Sequence, residues 1–110
     1  MTYKIYITPQ AYTDMIEILT YITDTFHDTI AANRLLNNIN TSLKSLSKFP
    51  HRIPIIKNTE LNTNEIRRMN IKNFSAYFYI DESEKTVHIL TIQYSKRDYE
   101  KILIEIIKKL

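Results

Sequence analysis

The hydrophobic pattern predicts a small α+β domain: one strand, a pair of helices, three more strands and a closing helix. Three observations carry this reading. Two apolar stripes with helical spacing run between residues 9 and 48. Two strongly β-favouring runs, residues 74–80 and 86–94, flank a short acidic turn. A third helical stripe ends the chain. A chain of 110 residues supports one core, so residues 1–110 form a single domain.

Residues 3–7 alternate apolar and polar side chains and predict a short strand. Thr8-Pro9 starts a helix, with a hydroxyl cap and then a proline at the first helical position, where its missing N–H costs nothing. Tyr12, Met15, Ile16, Leu19, Ile22 and Phe26 form the first stripe. His27-Asp28 interrupts it, and Asp28 can cap a second helix. Ala32, Leu35, Leu36, Ile39, Leu43 and Leu46 line that helix until Phe49-Pro50 stops it. Helices of about 18–20 residues, each about 27–30 Å long, with so short a connection fold as an antiparallel hairpin. A polar stretch over about 58–64 precedes a strand over 65–71. The runs 74–80 and 86–94 then pair around Asp81-Glu82-Ser83-Glu84 as a β-hairpin. Tyr99, Ile102, Leu103, Ile106, Ile107 and Leu110 make the last helix amphipathic. The architecture is β-α-α-β-β-β-α, a helical hairpin packed on one face of a small, mainly antiparallel sheet.

Alternation within the strands assigns the faces. Phe74, Ala76, Phe78 and Ile80 share one side, and Ser75, Tyr77 and Tyr79 the other; His88, Leu90, Ile92 and Tyr94 oppose Val87, Ile89, Thr91 and Gln93. The apolar face is expected to carry the helices, with Tyr94 on that side at the strand's end. The face rich in hydroxyls and phenols is expected to stay open for a partner.

Composition removes several function classes. Without cysteine there is neither a disulfide nor a thiolate metal site. Without glycine no loop can cradle phosphate as Walker or dinucleotide-binding loops do, and left-handed turn positions are expected to fall to Asn58, Asn62, Asn70, Asn73 and Asp81. His27, His51 and the scattered acids show no metal-ligand spacing, so neither metal nor cofactor is expected. No apolar run approaches the ~20 residues of a membrane span, and the start lacks a signal-peptide pattern. A cytoplasmic protein without a membrane partner is expected.

The net charge of +3 is uneven. Residues 1–43 set Lys4 and Arg34 against Asp14, Glu17, Asp24 and Asp28, a net of −2. Residues 44–72 set Lys44, Lys48, Arg52, Lys57, Arg67, Arg68 and Lys72 against Glu60 and Glu65, a net of +5. A basic middle segment suits an anionic partner, nucleic acid or an acidic peptide. Arg67, Arg68 and Lys72, on or beside one strand, are its candidate contacts, with Tyr77 and Tyr79 as partner-packing surface or proton donors.

Three segments in order carry a resemblance. Leu46-Ser47-Lys48-Phe49-Pro50 resembles an "L-x-x-F-P" helix ending. Residues 66–80, IRRMNIKNFSAYFYI, resemble a "v-R-x-l-x-v-x-n-Y-R-v-f-Y" strand pair, and residues 87–99, VHILTIQYSKRDY, a "V-x-I-l-R-v-x-H/Y-x-x-R-D-Y" ending. Together they are similar to the RelE/ParE superfamily of type II toxin–antitoxin toxins, nearer the ParE-like branch, over about residues 3–103. The resemblance implies a growth-inhibiting toxin neutralised by a cognate antitoxin, touching operator DNA only through that antitoxin. Its target is DNA gyrase in ParE-like members and ribosome-bound mRNA in RelE-like ones; an inactive, antitoxin-binding relic is the further alternative. The RelE-like reaction, metal-free attack of a 2′-OH on the adjacent phosphate, needs cations on the phosphate oxygens and an acid or base in reach. Matched position by position, Arg67 stands for the strand arginine, Tyr94 for the His/Tyr, and Arg97 for the closing arginine, making these the catalytic candidates. Ser75 and Thr91 stand where that pattern has further arginines. The antitoxin is expected on the polar sheet face, around Arg67 and Lys72.

Overall fold

The computed structural model describes residues 2–57 and 65–109. Strand β1 (Lys4–Ile7) leads into α1 (Pro9–Phe26), where the Thr8 hydroxyl accepts the Ala11 N–H at 3.2 Å. Asp28 caps α2 (Thr29–Ser45) through the Ala31 N–H at 2.9 Å. One 3-10 turn, Pro50–Arg52, follows. Then come β2 (Arg67–Ile71), β3 (Phe74–Asp81), β4 (Thr86–Tyr94) and α3 (Tyr99–Lys108), the last capped by Asp98. The polar stretch expected over 58–64 lies outside the described residues. Among the described residues no helix is long and apolar enough to cross a membrane.

The sheet runs β1-β4-β3-β2, with β1 parallel to β4 and the other pairs antiparallel. Its register departs from simple alternation at one point. Tyr77 pairs with Thr91 while Phe78 pairs with Ile89, leaving Leu90 as an extra residue in β4. A bulge of this kind flips the parity of the strand beyond it. The expected split of β4 into two sets therefore breaks. Val87 and Ile89 from one set, and Ile92 from the other, all pack under the helical hairpin with Phe78 and Ala76. Leu90 faces the opposite side.

That opposite side is not open. Leu103 of α3 is buried against Tyr77, Leu90, Ile56 and Ile66, with Tyr79, Tyr99, Ile104, Ile106 and Ile107 around them. The expectation of a free phenolic face is thus corrected: the apolar side of α3 needs cover, and it takes it from this face. Each fully buried side chain here and in the larger core, such as Leu103, Ile39, Leu46 and Phe78, contributes about 1.5–3 kcal/mol.

The stripe of α2 is buried as the sequence predicts, at Ala32, Leu35, Ile39 and Leu43. That of α1 is rotated. Ala11, Asp14 and Met15 are buried, whereas Tyr12, Ile16 and Phe26 of the expected stripe are exposed. Left-handed backbone also falls elsewhere than expected, on His27, Phe49, Glu65, Lys72 and Lys85. Asn70, Asn73 and Asp81 have no positive φ, and Asn58 and Asn62 lie outside the described residues.

The buried Asp14 explains the rotation. β1 ends at Ile7, opposite Ile89, so beyond that point β4 has no neighbour on this side. Thr8 covers the first exposed groups, its N–H and hydroxyl both donating to the Ile89 carbonyl at 3.2 and 2.7 Å. The Asp14 carboxylate covers the next. It accepts the Ile92 N–H at 3.2 Å, the Thr91 hydroxyl, the Gln93 amide at 3.5 Å and the Gln10 amide at 2.9 Å. A single carboxylate thereby closes the edge that a fifth strand would otherwise pair. Removing it strands buried donors. Asp14→Ala is expected to lower unfolding stability in urea by about 2–4 kcal/mol, and Asp14→Asn by less, because its amide oxygen still accepts the Ile92 N–H. A loss under about 1 kcal/mol for Asp14→Ala would show that the edge is held some other way.

Candidate partner-binding groove

Because α1 hugs the β4 edge at Asp14 and then runs past the end of the sheet, a groove opens between them. It encloses about 750 Å³ and is lined by Glu17, Ile18, Tyr21, Ile22 and Phe26 of α1 and by Asn73, Phe74, Ile92, Gln93, Tyr94 and Arg97, with Asp14 at its floor. Two edge-to-face pairs shape its walls. Tyr21 meets Phe26 at 5.9 Å and 86°, and Phe74 meets Tyr94 at 5.9 Å and 72°. Three of these rings face solvent: Tyr21 is 61% exposed, Phe26 63% and Tyr94 44%. Arg97 donates to the side-chain amide oxygen Oε1 of Gln93 at 3.1 Å, and the Gln93 amide donates to the Thr91 hydroxyl at 2.7 Å, so the lower rim is tied to Asp14 through a chain of hydrogen bonds. Clustered exposed aromatics above a fixed polar rim are the composition of a protein-binding surface. The sequence reading missed Asp14, Tyr21 and Phe26 as site residues. The one available signal was spacing: Asp14 stands with Ala11 and Ile18 on the helix face that must be buried.

The residues expected to act on RNA do not converge. Arg67 pairs with Phe78, and its guanidinium donates to the His51 and Ile53 carbonyls at 3.1 and 2.6 Å, stapling the 3-10 turn to the sheet. Tyr94 pairs with Phe74, four residues further along β3. The two positions are therefore about 13 Å apart along the strands and about 10 Å across them. Arg97 and Tyr94 do share the groove, away from Arg67.

Arg68 is tied into a node at the start of α3. It donates to the Ser75 hydroxyl and the Ser95 carbonyl, both at 3.0 Å, and lies over the rings of Tyr77 and Tyr99 at 5.7 and 5.3 Å. Tyr77, expected on a partner surface, is fully buried and stacked on Tyr99 at 5.2 Å, because α3 covers it. Tyr79 is half-buried and stacks on His88 at 4.7 Å. Lys72 is exposed in the β2–β3 turn. Ser75 and Thr91, which stand in place of arginines, are fully buried. Ser75 bonds Asn70 and Ser95 as well as Arg68, and Thr91 serves Asp14. An arginine at either position would remove the hydroxyl on which these hydrogen bonds depend. The polar groups of the sheet are thus used to hold the fold together, and among the described residues the groove leaves aromatic surface without cover.

The sequence matches, over residues 5–99, the family described as ParE toxin of type II toxin–antitoxin system, parDE. The chain belongs to this family. No curated protein sequence matches it. Among solved structures it is similar to a chain of the chromosomal ParDE system from P. aeruginosa, with a TM-score of 0.70 and 18% identity over 86% of this chain and 98% of that one. It is also similar to a chain of the RelBE2 toxin–antitoxin complex from Mycobacterium tuberculosis, at TM-score 0.58 and 16% identity over 86% and 92%. A double mutant of the E. coli toxin RelE in the free state gives TM-score 0.65 at 7% identity over 100% and 99%. At these identities the three structures speak for the fold.

The buried node has a pH signature. Burial pushes the Tyr77 phenol above its ordinary value, against the opposing charge of Arg68 and the nearby Ser75 hydroxyl, and among the described residues its own hydroxyl is within hydrogen-bonding geometry of no partner. A phenol whose folded pKa is raised gives stability that is whole below the unfolded value of about 10 and is lost as pH rises above it. Urea unfolding from pH 7 to 11 is expected to show a loss of stability above about pH 10 that Tyr77→Phe diminishes. At pH 7 that substitution is expected to be neutral or stabilising, since it removes an unsatisfied hydroxyl. A marked loss at pH 7 would mean that the hydroxyl has a partner.

Proposed function

We propose that this toxin inhibits growth by binding its target, with DNA gyrase as the first candidate, and that a cognate antitoxin neutralises it by laying an apolar segment along the groove between α1 and the end of β4. The observation that carries the reading is the groove itself. Tyr21, Phe26 and Tyr94 hold exposed aromatic surface in a rigid frame, which suits apolar anchors of a helical or extended segment. This seat replaces the one expected on the phenolic sheet face, which α3 covers. Binding rather than RNA cleavage is supported by the dispersal of Arg67 from Tyr94 and Arg97, and by the burial of Ser75 and Thr91 where cations would be needed. A donor missing from a developing phosphate charge costs about 2.7–4 kcal/mol, a hundredfold or more in rate per position.

Induced expression is expected to arrest growth, and co-expression of a cognate antitoxin to relieve it. Tyr21→Ala with Phe26→Ala should weaken the isolated toxin–antitoxin complex by about a hundredfold, as truncating two central aromatics does at other interfaces. Purified toxin should inhibit gyrase supercoiling and leave mRNA on programmed ribosomes intact. Codon-positioned cleavage that Arg67→Ala or Tyr94→Phe abolishes would overturn the binding mechanism in favour of the nuclease.

A further inference from the structure

The bend after α2 holds an exposed aromatic in an unfavourable conformation. Phe49 takes φ 51° and ψ 54°, the left-handed region where a Cβ is crowded by the backbone. Pro50 follows it, and a residue before proline is normally driven to extended backbone. Burial does not compensate, since Phe49 at 79% is the most exposed large hydrophobic residue among those described. The conformation is enforced by Arg52. Its guanidinium donates to the carbonyls of Ser45, Lys48 and Phe49 at 3.2, 2.8 and 3.1 Å, and to the Ser45 hydroxyl at 2.8 Å. Phe49 is therefore a fixed knob on a braced turn. Among the five left-handed positions described it is the one apolar residue and the only one before a proline. Strain held in place without local benefit points to use by a partner.

Charge narrows the partner. Residues 44–57 contain Lys44, Lys48, Arg52 and Lys57 and no carboxylate. Glu82, which reaches this end of the molecule, is already bound by His51 and Lys85. The knob lies at the end of the sheet where β1 begins, as the Tyr3 N–H bonded to the Ser47 carbonyl at 2.8 Å shows. The aromatic groove lies at the other end, past the last residues of β4. Its wall comes from the acidic stretch, with Glu17 in the lining and Asp24 exposed on the same helix. Arg97 is the one base in the lining, and its guanidinium is engaged by Gln93.

We propose that the two ends fit each other across molecules: the Phe49 knob of one copy enters the Tyr21–Phe26–Tyr94 groove of a second, with Lys44 and Lys48 facing Glu17 and Asp24. Knob and groove are different surfaces, so the contact is heterologous. It leaves one free knob and one free groove on every pair, and association propagates with concentration. A single anchor buries little area, so the contact is weak and, with exposed charges around it, salt-sensitive. It does not depend on the groove being the antitoxin's seat.

Sedimentation velocity on the purified toxin alone, from micromolar to millimolar, tests this. The average mass is expected to rise with concentration at low salt and to fall back at high salt. Phe49→Asn, which suits left-handed backbone, should remain monomeric while unfolding at the same temperature or higher. A groove variant, Tyr21→Asp with Phe26→Asp, should be monomeric as well, yet mixing it with Phe49→Asn should give 1:1 dimers and nothing larger, because only one knob and one groove remain. Lys48→Glu should weaken association at least tenfold, and adding Glu17→Lys to it should restore it. A wild-type chain that stays monomeric throughout overturns the proposal, as does association that survives Phe49→Asn, or a mixture that forms no dimers. So does a Phe49→Asn variant that self-associates normally but loses affinity for a single-stranded oligonucleotide, which would assign the knob to nucleic acid.

Discussion

One buried carboxylate sets the geometry of half the molecule. Where β1 stops, β4 continues with bare backbone groups on its outer edge, and a four-stranded sheet has no further strand to offer. Asp14 supplies the missing acceptor from a helix. To do so α1 must lie against that edge, and this turns Tyr12, Ile16, Tyr21 and Phe26 outward while Ala11 and Met15 go in. The groove is therefore the other side of the edge's protection: the helix that blocks strand addition is held where its own aromatic flank has nothing to pack against.

The same economy runs through the opposite face. Arg68, Ser75, Asn70 and Ser95 would read as a reactive cluster if counted by residue type, but each hydrogen bond they make points inward to another member or to the backbone. Arg67 likewise spends its guanidinium on two main-chain carbonyls. Cations committed in this way are poor phosphate ligands, since a phosphate would have to displace bonds already made in a low-dielectric setting.

The fold was legible wherever the determinants are local. Thr8, Asp28 and Asp98 cap their helices because short acceptors at those positions satisfy nearby N–H groups, and the stripe of α2 is buried as its spacing demands. Three things were not legible. The bulge at Leu90 depends on the pairing partner, and alternation alone cannot reveal an inserted residue. The seat of α3 is a long-range choice between two apolar surfaces. The left-handed residues escaped because no glycine marks them, and tertiary hydrogen bonds such as those of Arg52 overrode the preference for Asn. At the candidate site, residue types pointed to cations and phenols, whereas burial removed most of them from solvent and left the aromatic flank of α1.

The parallel pairing of β1 with β4 joins Lys4 to Thr86 and Ile7 to Ile89, contacts more than eighty residues apart. A ribosome making this chain emits the first strand and both helices long before their cover exists, since the apolar undersides of α1 and α2 are roofed by β3 and β4. Such non-local closure is slow and comes late. A product cut short of β3 and β4 has no sheet centre, and the nascent chain cannot acquire its finished surface until those strands have been made. The topology acts as a timer: the groove and both cores wait on the hairpin that closes the sheet.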